Sequence, residues 1–155
     1  MAVKPIPDGY HSITPYLLVR GGEEAIAFYT QAFGAVEKDR ITMPDGKIGH
    51  AELKIGDAIV MLSDEMPEMG MPGPETLGGV GISLFLYVED VDASFAKAIE
   101  AGGTETRPVE DQFYGDRAGQ LKDPFGHTWT LATHKEDLTK EELEARFEQY
   151  LKQQV

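Results

Sequence analysis

The stretch 12–35, SITPYLLVRGGEEAIAFYTQAFGA, is echoed by 83–104, SLFLYVEDVDASFAKAIEAGGT. Val19 matches Val88, Ala32 matches Ala101 and Gly34 matches Gly103, each pair 69 residues apart. Both copies read as strand, tight turn, amphipathic helix and the start of another strand. Downstream, Ile59 to Leu62 returns as Thr128 to Leu131 at the same offset. Each half is therefore predicted to be βαβββ. A four-stranded sheet with a helix on one face leaves its other face bare. Two such halves can pair and curve their sheets around a shared concave cavity. The expected fold is α+β: two paired βαβββ modules with curved mixed sheets around a cavity, plus a C-terminal helix. As a single domain over 1–155, it divides into module one at 12–63, a linker at 64–80, module two at 81–134 and a helical extension at 139–151.

Local patterns fill in the halves. Ile13 to Val19 reads as the first strand, and Pro15 within it points to a sheet edge, where a missing N–H costs least, or to a local irregularity. Glu23 to Phe33 places Ala25, Ile26, Tyr29 and Phe33 near helical spacing, and Gly34 ends the helix. Strands are predicted at 36–42, 48–55 and 58–62. In the second of these, Ile48, His50, Glu52 and Lys54 share one parity, and Ala51, Leu53 and Ile55 the other. Ser63 to Val80 carries three prolines, four glycines and Met66, Met69 and Met71, and reads as a mobile loop or linker between modules. Strand 81–88 precedes a helix over 91–101 capped by Asp90. Strands follow at 104–108, 117–122 and 127–133, with a polar loop at 110–116 and a DPFG turn at 123–126. Thr139 and Glu142 form a capping box for the last helix, whose Leu143, Phe147, Tyr150 and Leu151 line one side.

The charge balance limits partners. With 27 acidic against 14 basic residues the net charge is -13. Phosphate backbones and anionic membranes repel such a chain, so no nucleic-acid or membrane partner is expected. No cysteine is present, which excludes disulfides, thiolate catalysis and cysteine-ligated zinc. No apolar run approaches a membrane span, and the N-terminus lacks a secretory h-region. A cytoplasmic protein is expected.

Several side chains carry candidate chemistry. His50 and Glu52 share a strand face at i, i+2; a histidine beside a carboxylate suits a base, and a solvated sheet face is the competing reading. Arg117, near Tyr114 and Asp116, suits an anionic or phosphoryl ligand or a surface ion pair. Phe113, Tyr114 and Trp129 are possible pocket walls. Trp129 alternates away from Thr128 and Thr130, which makes core packing its default role. The glycine-rich stretch GMPGPETLGGVG lacks the lysine and the strand–loop–helix setting of a phosphate loop.

The motifs TPYLLV, AIAFYTQAFGA, HAELKIGDAIVMLSDE, LYVEDVDASFAKAIEAGG and GQLKDPFGHTWTLATH span almost the whole chain. In this order they resemble the vicinal oxygen chelate superfamily, which joins glyoxalases, bleomycin-resistance proteins and extradiol dioxygenases. The likeness is strongest to the branch typified by the phosphonate-operon protein PhnB. That superfamily includes isomerases, lyases, dioxygenases, thiol transferases and non-catalytic drug binders. In its metal-dependent members, His, Glu or Gln side chains on the first and last strands of each module meet one divalent ion. The resemblance puts those positions at Thr14, Met61, Ser83 and Thr130, none of which is a usual ligand for such an ion. No metal and no cofactor are therefore expected at the classical site.

The resemblance instead implies a small molecule in the cavity and a homodimer. The candidate ligand contacts are Thr14, Ser83, Thr130 and Met61 at the family positions, with Tyr114 and Arg117 from the polar loop; ordinary, locally satisfied β residues are the competing reading for the three hydroxyls. His134 ends the last strand in the ATH signature of the branch. With His50 and Glu52 it forms the candidate catalytic set for an atypical enzyme, metal-dependent with His11 or metal-free. A non-catalytic structural or regulatory dimer is the third reading.

Overall fold

A computed structural model describes residues 2–155 of the chain. The elements in order are β1 (Tyr16–Val19), α1 (Gly22–Phe33), β2 (Val36–Thr42), β3 (Ile48–Ile55) and β4 (Ala58–Asp64). A 3-10 turn (Pro67–Met69) and the short α2 (Pro74–Leu77) lead to the second half. There follow β5 (Ser83–Tyr87), α3 (Val91–Ala101), β6 (Thr104–Asp111), β7 (Asp116–Lys122), β8 (Thr128–His134) and α4 (Lys140–Gln153). Two four-stranded mixed sheets result, ordered β1-β4-β3-β2 and β5-β8-β7-β6. The repeat seen in the sequence thus becomes two sheets of identical order. In each, the first strand runs parallel to the last and the remaining pairs are antiparallel.

One face of each sheet packs inward. Leu17, Val19, Ala51, Leu53, Val60 and Leu62 from the first sheet join Leu121, Trp129 and Leu131 from the second in a single core. Helices α1 and α3 lie in that core and touch each other. Phe28, Tyr29 and Phe33 of α1 pack on Phe125 and Trp129 of the second half. Trp129 is therefore a core residue, as its alternation with Thr128 and Thr130 predicts. The halves meet through helices and aromatic rings, and the opposite sheet faces stay open.

Both modules bind the start of their helix in the same way. At the end of β4, Asp64 Oδ1 accepts from the N–H groups of Gly21 and Gly22, and Oδ2 accepts from Ile48 N. The matching residue in module two, Thr133, accepts from Val91 N and donates to the Val88 carbonyl. These contacts satisfy groups that the first helical turn leaves unpaired. Gly22 is needed for the close approach. A Cβ there would lie 2.7 Å from both Asp64 Oδ2 and the Ile48 side chain.

Four local expectations change. β1 begins at Tyr16 rather than Ile13, because Pro15 has no N–H to pair; its carbonyl still accepts from Met61 N. The edge position it signals is observed. The 48/50 parity breaks at Gly49: Ile41 pairs with His50 and Thr42 with Ile48, so Gly49 is the extra residue of a bulge and Ile48 turns into the core. The segment 63–80 is a strap tied down by side-chain hydrogen bonds. Ser63 and Asp64 complete β4, and Glu65 then gathers Arg20, Gly73 N and the Thr76 hydroxyl. Finally, β6 runs to Asp111, leaving only a tight turn before Asp116.

Candidate functional site

The open face of the first sheet carries Tyr16, His50, Glu52 and Met61. Register sets this grouping: Met61 on β4 lies between Tyr16 on β1 and Glu52 on β3. The polar residues form one hydrogen-bonded chain. Glu52 accepts, so His50 Nε2–H donates to its Oε2 at 3.0 Å. That tautomer leaves Nδ1 to accept from the Tyr16 hydroxyl, also at 3.0 Å. On the far side, the Tyr10 hydroxyl donates to Glu52 Oε1. Lys38 lies over the Tyr10 ring, 4.8 Å from its centroid. Beside this chain, Pro5, Pro7, Tyr10, His11, Thr14, Glu52 and Met61 line a recess of about 330 Å³. Thr14 Oγ1 donates to the His11 carbonyl at 3.3 Å.

The open face of the second sheet carries Phe85, Tyr87, Ala118, Gln120 and Thr130. Thr130 lies between Phe85 and Gln120, repeating the place of Met61 between Tyr16 and Glu52. Tyr114, Arg107 and Gln112 rim a small recess of about 90 Å³ over Thr130. Ser83 is exposed at the start of β5, opposite Thr128. At the other end of the face, buried Asp116 accepts from the Tyr87 hydroxyl at 2.9 Å and from His134 Nδ1 at 2.7 Å. His134 Nε2 meets Asp137 at 2.8 Å. Two carboxylates on two ring nitrogens favour the imidazolium. Asp137 first, then Asp116, raises the His134 pKa above its ordinary value. Burial raises the Tyr114 phenol and keeps it protonated.

His50 and Glu52 meet, but His134 does not join them. His50 and Glu52 lie on the first sheet. His134 lies on the second, committed to Asp116 and Asp137. Arg117 points to the helix side of the second sheet, because it pairs with Thr133 while Asp116 pairs with His134. Its guanidinium holds Asp92 of α3 at 2.8 and 2.9 Å, and Asp111 at 3.2 Å. Arg117 is a strut between sheet and helix, and the catalytic set of His50, Glu52 and His134 does not converge within the chain. His127 likewise serves structure, meeting the Leu18 carbonyl at 3.0 Å.

Sequence reading missed Tyr10 and Tyr16, which end the His50–Glu52 chain, and Arg107. The signal for Tyr16 was its parity with Thr14. For Tyr10 and Arg107 only the folded register brings them in.

The resemblance puts the family's metal positions at Thr14, Met61, Ser83 and Thr130. Three hydroxyls and a thioether do not fit a divalent cation. Among the described residues, no three His, Asp or Glu side chains gather closely enough to hold one.

The family model of the Glyoxalase/Bleomycin resistance protein/Dioxygenase superfamily matches residues 10–131. An uncharacterized protein of Mycobacterium bovis is 42% identical over 137 residues, covering 86% of this chain and 90% of that relative. Among solved structures, an Arabidopsis thaliana gene product superposes with a TM-score of 0.66 at 28% identity, over 79% of this chain and 98% of that one. The fold is shared by a PhnB protein of Bacillus cereus, with a TM-score of 0.62 at 21% identity over 79% and 99% of the two chains. It is also shared by TnmS3, an antibiotic binding protein from Streptomyces sp. CB03234, with a TM-score of 0.62 at 23% identity over 87% and 99%.

Proposed function

This chain belongs to the Glyoxalase/Bleomycin resistance protein/Dioxygenase superfamily, and from that premise we propose that it is a small-molecule-binding protein whose ligand lies against the open sheet faces. The carrying observation is the character of those faces. Opposite a dry, apolar core they present tyrosines, Phe85, His50, Glu52, Met61, Gln120 and Thr130 in register. Convergent polar groups among aromatic walls are what orient a ligand. The antibiotic-binding neighbour of the same fold supports the reading. The poor donor set at the family's metal positions favours binding without the classical ion.

The reading includes a homodimer. Neither open face is enclosed within one chain, and a second copy would supply the missing wall. Screening a library of small aromatic and heteroaromatic compounds by amide chemical shift tests the binding. Shifts clustered at Phe85, Gln120, Thr130, Tyr16 and Glu52 are expected. A folded protein whose shifts fall elsewhere, or do not occur, would overturn the proposal.

The hydrogen-bonded chain Tyr16–His50–Glu52–Tyr10 favours a second reading, acid–base catalysis on the bound molecule. A carboxylate that fixes the imidazole tautomer is the arrangement a general base needs. Any ligand found in the screen that carries an acidic C–H would then exchange it for deuterium in D2O. His50→Ala would abolish that exchange; an unchanged rate in the variant would remove His50 from the chemistry.

A further inference from the structure

Arg107 stands apart from the other arginines. The chain has five, and four are held by carboxylates: Arg20 by Glu65 and Glu75, Arg40 by Glu23 and Glu37, Arg117 by Asp92 and Asp111, and Arg146 by Glu136. Among the described residues Arg107 alone forms no ion pair, in a chain with 27 acidic side chains. It lies opposite Gln120 on β6, between two irregularities of register, and rims the recess over Thr130.

No Asp or Glu lines that recess. Its polar side chains are nearly all turned to donate. The Gln120 carbonyl oxygen is taken by the Thr106 hydroxyl at 3.0 Å, which leaves its NH2 group facing outward. The Gln112 NH2 is spent on the carbonyls of Glu110 and Ala118. Burial keeps the Tyr114 phenol protonated, and among the described residues its hydroxyl and that of Thr130 have no protein acceptor. Asp116, whose charge reaches Tyr114, is occupied by Tyr87 and His134. A guanidinium, an amide NH2 and two hydroxyls converging without a negative charge form an oxyanion receptor. At about 90 Å³ the recess suits a head group rather than a whole ligand. Phe85, half exposed and tilted against Tyr87 at 5.1 Å between ring centroids, offers a flat wall beside it.

We propose that Arg107, Gln120, Tyr114 and Thr130 bind the carboxylate or phosphate of a small ligand whose ring or apolar body lies over Phe85. The assignment rests on the ligand-binding reading above and narrows it to anionic molecules. The anion-binding role expected of Arg117 thereby passes to Arg107, ten residues upstream in chain order.

Three probes of similar shape test this: phenylacetate, phenyl phosphate and neutral phenylacetamide, each titrated at millimolar concentration into 15N-labelled full-length protein. The expected result is that at least one anion shifts Gln120 and Thr130 and binds about tenfold more tightly than the amide. The tighter anion identifies carboxylate or phosphate as the natural head group. Arg107→Gln should cancel the preference, and Arg117→Gln should keep it. The same spectra establish that both variants are folded. Phenylacetamide binding as tightly as the anions would overturn the anion assignment and leave the ligand-binding reading intact. Anion binding unchanged in Arg107→Gln would overturn it too. Silence from all three probes also overturns it, and the broader compound screen then judges the parent reading separately.

Discussion

Asp123 accepts four hydrogen bonds while almost fully buried. Oδ1 takes the N–H groups of Phe125 and His127, and Oδ2 takes Trp129 Nε1 at 2.9 Å and the Tyr29 hydroxyl at 2.6 Å. Tyr29 belongs to α1 of the first half, so one carboxylate shapes a turn and joins the halves. Burial, then the Asp123 charge, pushes the Tyr29 phenol well above its ordinary pKa. Asp123→Ala strands a buried hydroxyl and a buried indole N–H, and should cost roughly 3 to 5 kcal/mol. Urea unfolding followed by Trp129 fluorescence measures it; a loss below 1 kcal/mol, on the order of one ordinary hydrogen bond, would mean that water replaces the carboxylate. His134 carries a second prediction. Its folded pKa is raised, so the stabilisation it brings is complete below the unfolded value of 6.5 and fades as pH rises through the folded value. Its ring protons should titrate above 6.5, and Asp137→Asn should bring the midpoint back down. A midpoint unmoved by that substitution would show that Asp137 does not hold the ring.

The strap from Glu65 to Leu77 is held by one carboxylate. Thr76, the Gly73 N–H and Arg20 lower the Glu65 pKa from 4.5 to about 2. Because the folded value is depressed, its contribution is present above pH 4.5 and is lost as pH falls toward 2. Wild-type stability should therefore fall across that window, and Glu65→Gln should flatten this part of the fall. Urea midpoints at stepped pH test it, and parallel curves would assign the acid sensitivity elsewhere. This strap was hard to read in advance. Its prolines, glycines and methionines suggest a loop, and the order comes from Arg20, 45 residues away from Glu65 in sequence. The helices and most strands were legible because one buried face imprints its period on local sequence. The Gly49 bulge was not, since one extra residue changes parity without changing composition. At the site, Glu52 and His50 were found by spacing on one strand. Arg117 stayed divided between a ligand and an ion pair, because parity shows which neighbours share a face, and only register shows whether that face is the open one. Arg107 gave no local sign at all, because what singles it out is the absence of a partner.

At the scale of the molecule, part of the apolar exposure gathers in one groove. Ile13 is 88% exposed and Ile82 78% exposed, and they are repeat equivalents, 69 residues apart. With Tyr16, Leu77, Val80 and Leu84 they border a mostly apolar groove of about 430 Å³. Phe85 and Tyr87 extend the exposure across the open face. β1 and β5, each hydrogen-bonded along one edge only, run beside the groove. An internal repeat of this kind suits a two-fold partner, because the same patch on a second copy can meet both halves in one isologous contact. A net charge of -13 disfavours polyanions as the cover. The proposed dimer should appear in light scattering at twice the chain mass of 17.1 kDa. Ile13→Asp combined with Ile82→Asp, both at exposed sites, should give a folded monomer with unchanged circular dichroism, since neither side chain belongs to the core. If the open faces need a second wall, that monomer should also bind ligands more weakly by about tenfold or more, as expected when the buried area of a contact is lost. A monomeric wild type would remove the shared wall from the mechanism. A dimeric double variant would move the interface away from this groove, toward the acidic α4, whose Phe147 and Tyr150 rest on Phe113.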